Sequence, residues 1–425
     1  MGGKRPAWLV PAILVGVLVV YPFFPFLDLF VDGVFGAQLR LDRQLVNIFI
    51  FAILALALNL QVGYAGLLQL GIAAFFAIGA FTTGVFTVEK YPFQIGLWGA
   101  LLFAPFVAGV AGLLLGGPTI RLKGDYLAIV TLGFGEVVRV VILNLDNITD
   151  GSRGLNPVPG VWTPPFAADI VGDDGTGRLH FLSMYFVALI ALVALVVAFR
   201  LLERSRLGRE MVALREDELA SACMGINPGK TKLTAFAAGA AIAGLAGALY
   251  ATNLTTTAEP NTYDFNYSIM VLCCVIIGGL GSVRGALLGA GILLTYDNVL
   301  SPLLTEMIQK GSLDSLIALF TYDLDWRWLA VVAAALAAIG LALVPRVGLA
   351  RALGLGVLLL PVCDLLVRSI FTIVVAPTES TSVLLTFTNW RWIIFGLALI
   401  LMMRFRPEGL WPSSRMKAEL HEERA

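Results

Sequence analysis

A chain of 425 residues that is 58% hydrophobic and only 14% charged holds more apolar surface than a water-soluble fold can hide, since ordinary soluble domains carry roughly 25% charged residues. Lipid is the better solvent for it. A formal charge of zero suggests no nucleic-acid partner. His180 and His421 are far apart, and Cys223, Cys273, Cys274 and Cys363 lack metal-ligand spacing, so zinc chemistry and imidazole catalysis have no residue set; the cysteines read as small buried hydrophobes.

The fold class is all-α, a polytopic transmembrane helix bundle of about twelve spans at about 20 apolar residues each. The runs lie near 7–30, 45–64, 67–88, 93–117, 125–144, 181–202, 232–252, 266–282, 283–299, 328–345, 352–375 and 388–404. The first follows Lys4 and Arg5. It holds Pro22 and Pro25 and exceeds the roughly 7–15 residues of a signal-peptide core, so it reads as an uncleaved span. The run 67–88 follows its predecessor through Gly63 and Gly66 almost without a loop. The short pair 266–282 and 283–299 forms either one long broken helix or a re-entrant hairpin.

Orientation follows from basic residues in short loops. With the N-terminus in the cytoplasm, Arg121, Lys123, Arg200, Arg204, Arg206, Arg209, Arg215, Lys230, Lys232, Arg284, Arg346, Arg351, Arg404, Arg406, Arg415 and Lys417 all fall inside. The loops 145–180 and 300–327 are richer in Asp and Glu and fall outside. An even number of crossings puts both termini in the cytoplasm.

Glycine clusters within the runs: Gly63, Gly66, Gly71 and Gly79 in one half, Gly278, Gly279, Gly281, Gly285 and Gly289 in the other. Small residues let helices approach closely in lipid, and they permit breaks where a helix lines a cavity. Their placement in two halves suits an inverted repeat with a pathway between the halves. Asn59, Gly63, Gly66, Gly278, Gly279 and Gly281 are the candidate pathway positions. Asn59 and Gln61 end the second run. Glu136 and Arg139 stand three apart and suit a mutual pair, as do Asp364 and Arg368 four apart.

One hydrophilic stretch, Leu207 to Lys230, interrupts the runs. From Gly208 to Met224 the pattern suits one short helix: Met211, Val212, Leu214, Leu219 and Cys223 are apolar among Arg215, Glu216, Asp217 and Glu218. Gly225 stops it and Pro228 prevents its resumption. So short a helix is marginal alone and leans on its own bundle or on a soluble partner. Gly229-Lys230-Thr231 looks like the end of a phosphate-binding loop. The glycine that this motif requires five positions earlier is Met224, however, and no strand precedes it. If ATP powers this protein, another subunit binds it.

Five stretches resemble the permease subunits of ABC importers for branched-chain amino acids, of the LivM type. They are NLQVGYAGLLQLGIAAFFAIGAF from Asn59, RLKGDYLAIVTLGFGEVVR from Arg121 with ITDGSRGL after it, ALREDELASACMGINPGKTKLTAFAAGAAIAGLAGALYA from Ala213, GGLGSVRGALLGA from Gly278 and FRPEGL from Phe405. They stand in family order and cover most of 45–300 and the last span. Two departures stand out: Ile72 occupies a place where relatives often carry a polar residue, and 301–387 adds a span pair where relatives make a short connection.

The resemblance implies a division into an N-terminal span and outer loop (1–44), a permease core (45–300) with a coupling loop at 203–231, an inserted region (301–387), and a last span with a cytoplasmic tail (388–425). It implies a second, related permease subunit, two cytoplasmic ABC ATPases that use ATP and Mg, and a periplasmic amino-acid-binding protein. No cofactor is bound by this chain, and no catalysis is expected of it. Arg215, Glu216, Asp217, Glu218 and Gly225 would couple it to an ATPase. The setting is the bacterial inner membrane and the cargo is leucine, isoleucine or valine. Rival readings are a urea or short-amide importer permease and an ion-coupled secondary transporter.

Overall fold

The computed structural model describes residues 16, 18, 41–119, 122, 124–161, 178–302, 387–406 and 409–411. The rest of the run 7–30, the added runs 328–345 and 352–375, and the Asp364–Arg368 spacing lie outside these residues. The chain divides into two compact units. One comprises Met1–Asp28, Arg40–Asn298 and Ile393–Ala425; the other comprises Leu29–Leu39 and Val299–Trp392. Of the second unit only 299–302 and 387–392 are described, and both pieces are helical.

Among the described residues the structure is helical, with no strand. Five helices there are long and apolar enough to cross a bilayer: Gln44–Tyr64, Gly96–Thr119, Asp125–Asn144, Leu182–Arg204 and Pro228–Leu254. Ile72–Thr87 and Ile393–Met402 are shorter apolar helices. We number the helices α1 (Leu41–Leu58), α2 (Ile72–Thr87), α3 (Gly96–Thr119), α4 (Asp125–Asn144), α5 (Arg178–Arg204), α6 (Arg206–Glu216), α7 (Glu218–Cys223), α8 (Pro228–Leu254), α9 (Phe265–Gly278), α10 (Val283–Thr295) and α11 (Phe387–Phe405).

The bundle of the first unit is organised around α1 and α8. The apolar window of α1 is 83% buried inside the protein, against 22% for α4, so α1 is surrounded by chain while α4 turns outward. α8 packs against α3, α2 and α1, and its small residues make that possible. A β-carbon on Gly247 would overlap the Phe76 carbonyl oxygen, and one on Gly79 would overlap that of Gly244. Helices this close gain van der Waals contact that lipid does not offer. Outward faces of α3 and α4 carry Trp98, Leu102, Phe106, Tyr126, Ile129 and Val137, all exposed, as suits contact with lipid or a second subunit.

One expectation for the apolar runs needs correction, and one left open between two forms is decided. The run 67–88 begins its helix only at Ile72, because Ala65–Gly71 is irregular. The pair 266–282 and 283–299 is a hairpin and not one long helix. Gly278 lies against Gly285, and Gly289 against Cys274, which is antiparallel pairing of α9 with α10 through small residues.

At one end of the bundle the loop after α4 is clasped to the α2–α3 turn. Lys90 Nζ lies 2.6 Å from Asp150 Oδ1, and that hydrogen bond raises the Lys90 pKa above its usual 10.5. The Tyr91 hydroxyl donates to the Ile148 carbonyl. Glu136 and Arg139 pair as their spacing suggests, at 2.9 Å, and Arg139 also donates to Asn261 Oδ1 at 2.7 Å.

Candidate functional site

α1 does not end cleanly. It widens into a π turn, Asn59–Tyr64, a form that leaves room for a side chain or a neighbour within the backbone ladder. Gly66 then turns left-handed, with φ +68°, and the chain runs irregularly to Gly71. In the interior every loose backbone group needs a partner. Leu67 N–H donates to the Gln61 carbonyl at 2.9 Å. The hydroxyls of Thr131 and Ser268 accept from Leu70 N–H (3.1 Å) and Ala73 N–H (3.2 Å). Gln61 Nε2 donates to the Phe236 carbonyl of α8 at 3.0 Å.

The α9–α10 hairpin breaks opposite that turn. Gly279 and Gly281 have φ +122° and +72°, which β-carbons disfavour. Ser282 caps α10 by accepting from Gly285 N–H at 3.1 Å. The two breaks are joined directly: Asn59 Oδ1 accepts from Gly281 N–H at 2.9 Å. A β-carbon on Gly63 would lie 2.5 Å from the Gly281 nitrogen. Asn59 and Gln61 are fully buried, as expected of polar groups that serve a break.

The hydrophilic stretch 207–230 differs from the single helix expected. Asp217, at φ −150° and ψ 114°, ends α6, and its carboxylate caps α7 by accepting from Leu219 N–H (2.7 Å) and Ala220 N–H (3.0 Å). The helix is thus cut where a good N-cap residue stands. Gly225 makes the expected left-handed turn, φ +84°. The short helix does not resume, and Pro228 opens a new one: it sits in the first turn of α8, behind Asn227, which accepts from Lys230 N–H at 3.1 Å. A helix's first residue needs no N–H partner, so proline is tolerated there.

Met211 and Leu214 are buried under α6. Arg215 turns inward, and its Nη1 donates to the Gly63 carbonyl at 2.6 Å. Glu218 pairs with Lys232 of α8 at 2.7 Å, where the Lys232 side chain is nearly buried. The Tyr64 hydroxyl donates to Glu203 Oε1 at 2.5 Å. Glu216 is exposed. So are two apolar side chains, Leu219 at 77% and Met224 at 83%.

The structure therefore brings Asn59, Gly63, Gly66, Gly281 and Arg215 into one place. Gly278 and Gly279 lie beside it, where the FRPEGL stretch docks: Leu410 N–H donates to the Ile277 carbonyl (2.9 Å) and Trp411 N–H to that of Gly278 (3.0 Å). These bonds satisfy carbonyls that the end of α9 leaves open. Gly409, φ +85°, sits there because a β-carbon would strike the backbone of Gly279. Gly409→Ala is expected to cost roughly 1–3 kcal/mol, from left-handed strain and lost contact, read as a lower midpoint in thermal unfolding in detergent. Gly396→Ala, where a β-carbon meets nothing within 4 Å among the described residues, should not lower the midpoint.

Sequence reasoning missed the exposed Leu219 and Met224, the Lys232 partnership and Gln69. Gln69 is buried in the irregular stretch with neither amide atom hydrogen-bonded to the chain. Exposed apolar residues beside a charge run were the available signal for the first two. Among the described residues no His, Cys, Asp and Glu group could hold a metal ion.

A family model described as branched-chain amino acid transport system / permease component matches residues 40–321. The chain is 39% identical over 293 residues to the high-affinity branched-chain amino acid transport system permease protein LivM of Salmonella typhimurium strain LT2, covering 65% of this chain and 66% of that one. It is 36% identical over 351 residues to LivM of Escherichia coli K12, covering 76% and 77%. With the permease protein LivH of Escherichia coli K12 it is 23% identical over 261 residues, covering 59% and 81%. No solved structure matches.

Proposed function

The chain belongs to the branched-chain amino acid transport permease family, and on that premise we propose that it forms half of the translocation pathway of an ATP-driven importer for leucine, isoleucine and valine. The family is a transport permease and not a catalytic subunit. A LivH-like permease completes the pathway, since relatives of both kinds match this chain. Two ABC ATPases bind ATP and Mg and dock on α6–α7, and a periplasmic binding protein delivers the amino acid. The protein spans the membrane several times, in the bacterial inner membrane. Both termini, α6 and α7 then face the cytoplasm, and about twelve crossings with the inserted 301–387 pair complete the bundle at about 20 residues per crossing. The division at 44, 300 and 387 belongs to the same reading.

The observation that carries this reading is the form of α6–α7. It is anchored inward by Met211, Leu214 and Arg215 and presents Glu216, Leu219 and Met224 outward. A part built so stiffly and left uncovered suits a surface that a motor grips. Energy then enters as the ATPases' preference for one conformation over another.

The test is reconstitution of the chain with the second permease, both ATPases and the binding protein in liposomes. Leucine uptake that requires internal ATP is expected, with none driven by a proton or sodium gradient through this chain alone. Gradient-driven uptake without ATPases would establish a secondary transporter instead. ATP-driven uptake of urea without leucine would establish the short-amide importer.

A further inference from the structure

The geometry points to Arg215 as a strut that ties the ATPase-facing element to the two helix breaks, so that motion at α6 reaches the pathway. This positioning role rests on the importer reading above and goes beyond it. Docking alone would make Arg215 one of several surface charges; its side chain instead faces into the bundle.

Among the described residues, three contacts define the place. The guanidinium donates to the carbonyl of Gly63, in the π turn that ends α1, at 2.6 Å. Gly66 presses on its aliphatic stem: a β-carbon there would lie 3.0 Å from Arg215 Cγ and 3.4 Å from its Cβ. Gly281, at the hairpin break, faces its head, with a β-carbon position 3.1 Å from Nη1 and 3.0 Å from the Gly63 oxygen. Since Asn59 Oδ1 holds Gly281 N–H at 2.9 Å, one side chain from α6 grips a junction at which α1 and the α9–α10 hairpin already meet. No other side-chain type suits this seat as well. Arginine offers a rigid, permanently charged fork, whereas lysine offers a single flexible point charge. A charge-assisted bond to a carbonyl is among the stronger hydrogen bonds.

The glycines complete the case. Gly63, Gly66 and Gly281 bring no side chain of their own to the junction, so the guanidinium reaches the Gly63 carbonyl directly. Met211 and Leu214, on the same face of α6 as Arg215, are buried beside it. A pull on α6 therefore has a continuous route of packed and hydrogen-bonded groups to the breaks, the kind of network that carries coupling when both ends bias one two-state element.

The experiment uses the complete importer in liposomes and reads two quantities, ATPase retained on purification and ATP hydrolysed per leucine imported. Arg215→Ala should keep the ATPases at wild-type yield while ATP per leucine rises at least tenfold. Arg215→Lys should fall between that variant and wild type. Gly66→Ala, which leaves every ATPase-facing group in place but pushes on the arginine stem, should uncouple as Arg215→Ala does. Loss of ATPase from Arg215→Ala would make it a docking residue and overturn the strut. So would an unchanged ratio, or parallel loss of hydrolysis and uptake. If Arg215→Ala does not fold, Gly66→Ala and Arg215→Lys decide, and coupled transport in both overturns the proposal. A wild-type importer that moves no leucine overturns the importer reading itself, and the strut with it.

Discussion

Gly247→Leu should yield no folded protein, and Gly247→Ala should yield a measurably weaker one. A β-carbon at this position would overlap the Phe76 carbonyl oxygen and lie 2.9 Å from the Ala80 nitrogen. Both are backbone atoms of α2, so no side chain can swing aside. The helices must part, and α8 packs against α3 and α1 as well as α2, so a shift there is felt on three sides. Overpacking a close crossing costs roughly 1–3 kcal/mol and occasionally more. For alanine that predicts a lower thermal midpoint by size-exclusion-coupled unfolding in detergent; for leucine it predicts aggregation. Gly133→Ala, within α4 and meeting nothing within 4 Å, is the control and should match or exceed wild type, because alanine is the better helix former. A wild-type midpoint for Gly247→Ala would show that α2 and α8 can part at their crossing without cost.

Much of this bundle was legible in the sequence, and the failures are instructive. Apolar length located α3, α4 and α8 because membrane-spanning helices obey a composition rule that chain topology does not alter. The same rule misplaced the start of α2. Ala65 to Gly71 is as apolar as a helix, and what stops it being one is the π turn before it and a left-handed Gly66, neither of which hydropathy registers. Glycine clustering marked Gly63, Gly66 and Gly281 for packing or for breaks, and the structure uses them for both. Asp217 carries a capping signal that is hidden when it is counted among the charges of one helix. The tie between Arg215 and Gly63 spans 152 positions, and no local pattern foretells a contact of that range. The same holds for Lys232, which reads from sequence as a basic residue at a helix start and in the structure neutralises Glu218.

The charges and the apolar tips of α6–α7 should separate cleanly in mutation. Leu219 and Met224 are 77% and 83% exposed, so Leu219→Asp and Met224→Asp should change stability by less than about 0.5 kcal/mol. Buried in an ATPase groove, each is a candidate anchor whose loss costs roughly 2 kcal/mol of binding, about thirtyfold. The expected result is a permease that purifies normally and no longer retains its ATPases, with uptake lost in step. Glu216→Lys, at an exposed charge, should weaken association less and in a salt-dependent manner. Glu218→Lys should behave differently from all three. It removes the partner of a nearly buried Lys232 and sets two cations together. Its cost in stability lies between the roughly 1 kcal/mol of an exposed pair and the roughly 3–5 kcal/mol of a buried one. The exchange Glu218→Lys with Lys232→Glu should restore the thermal midpoint, which a purely ATPase-facing Glu218 would not permit. Leu219→Asp holding its ATPases at wild-type yield would remove α7 from the interface and leave the coupling role to α6 alone.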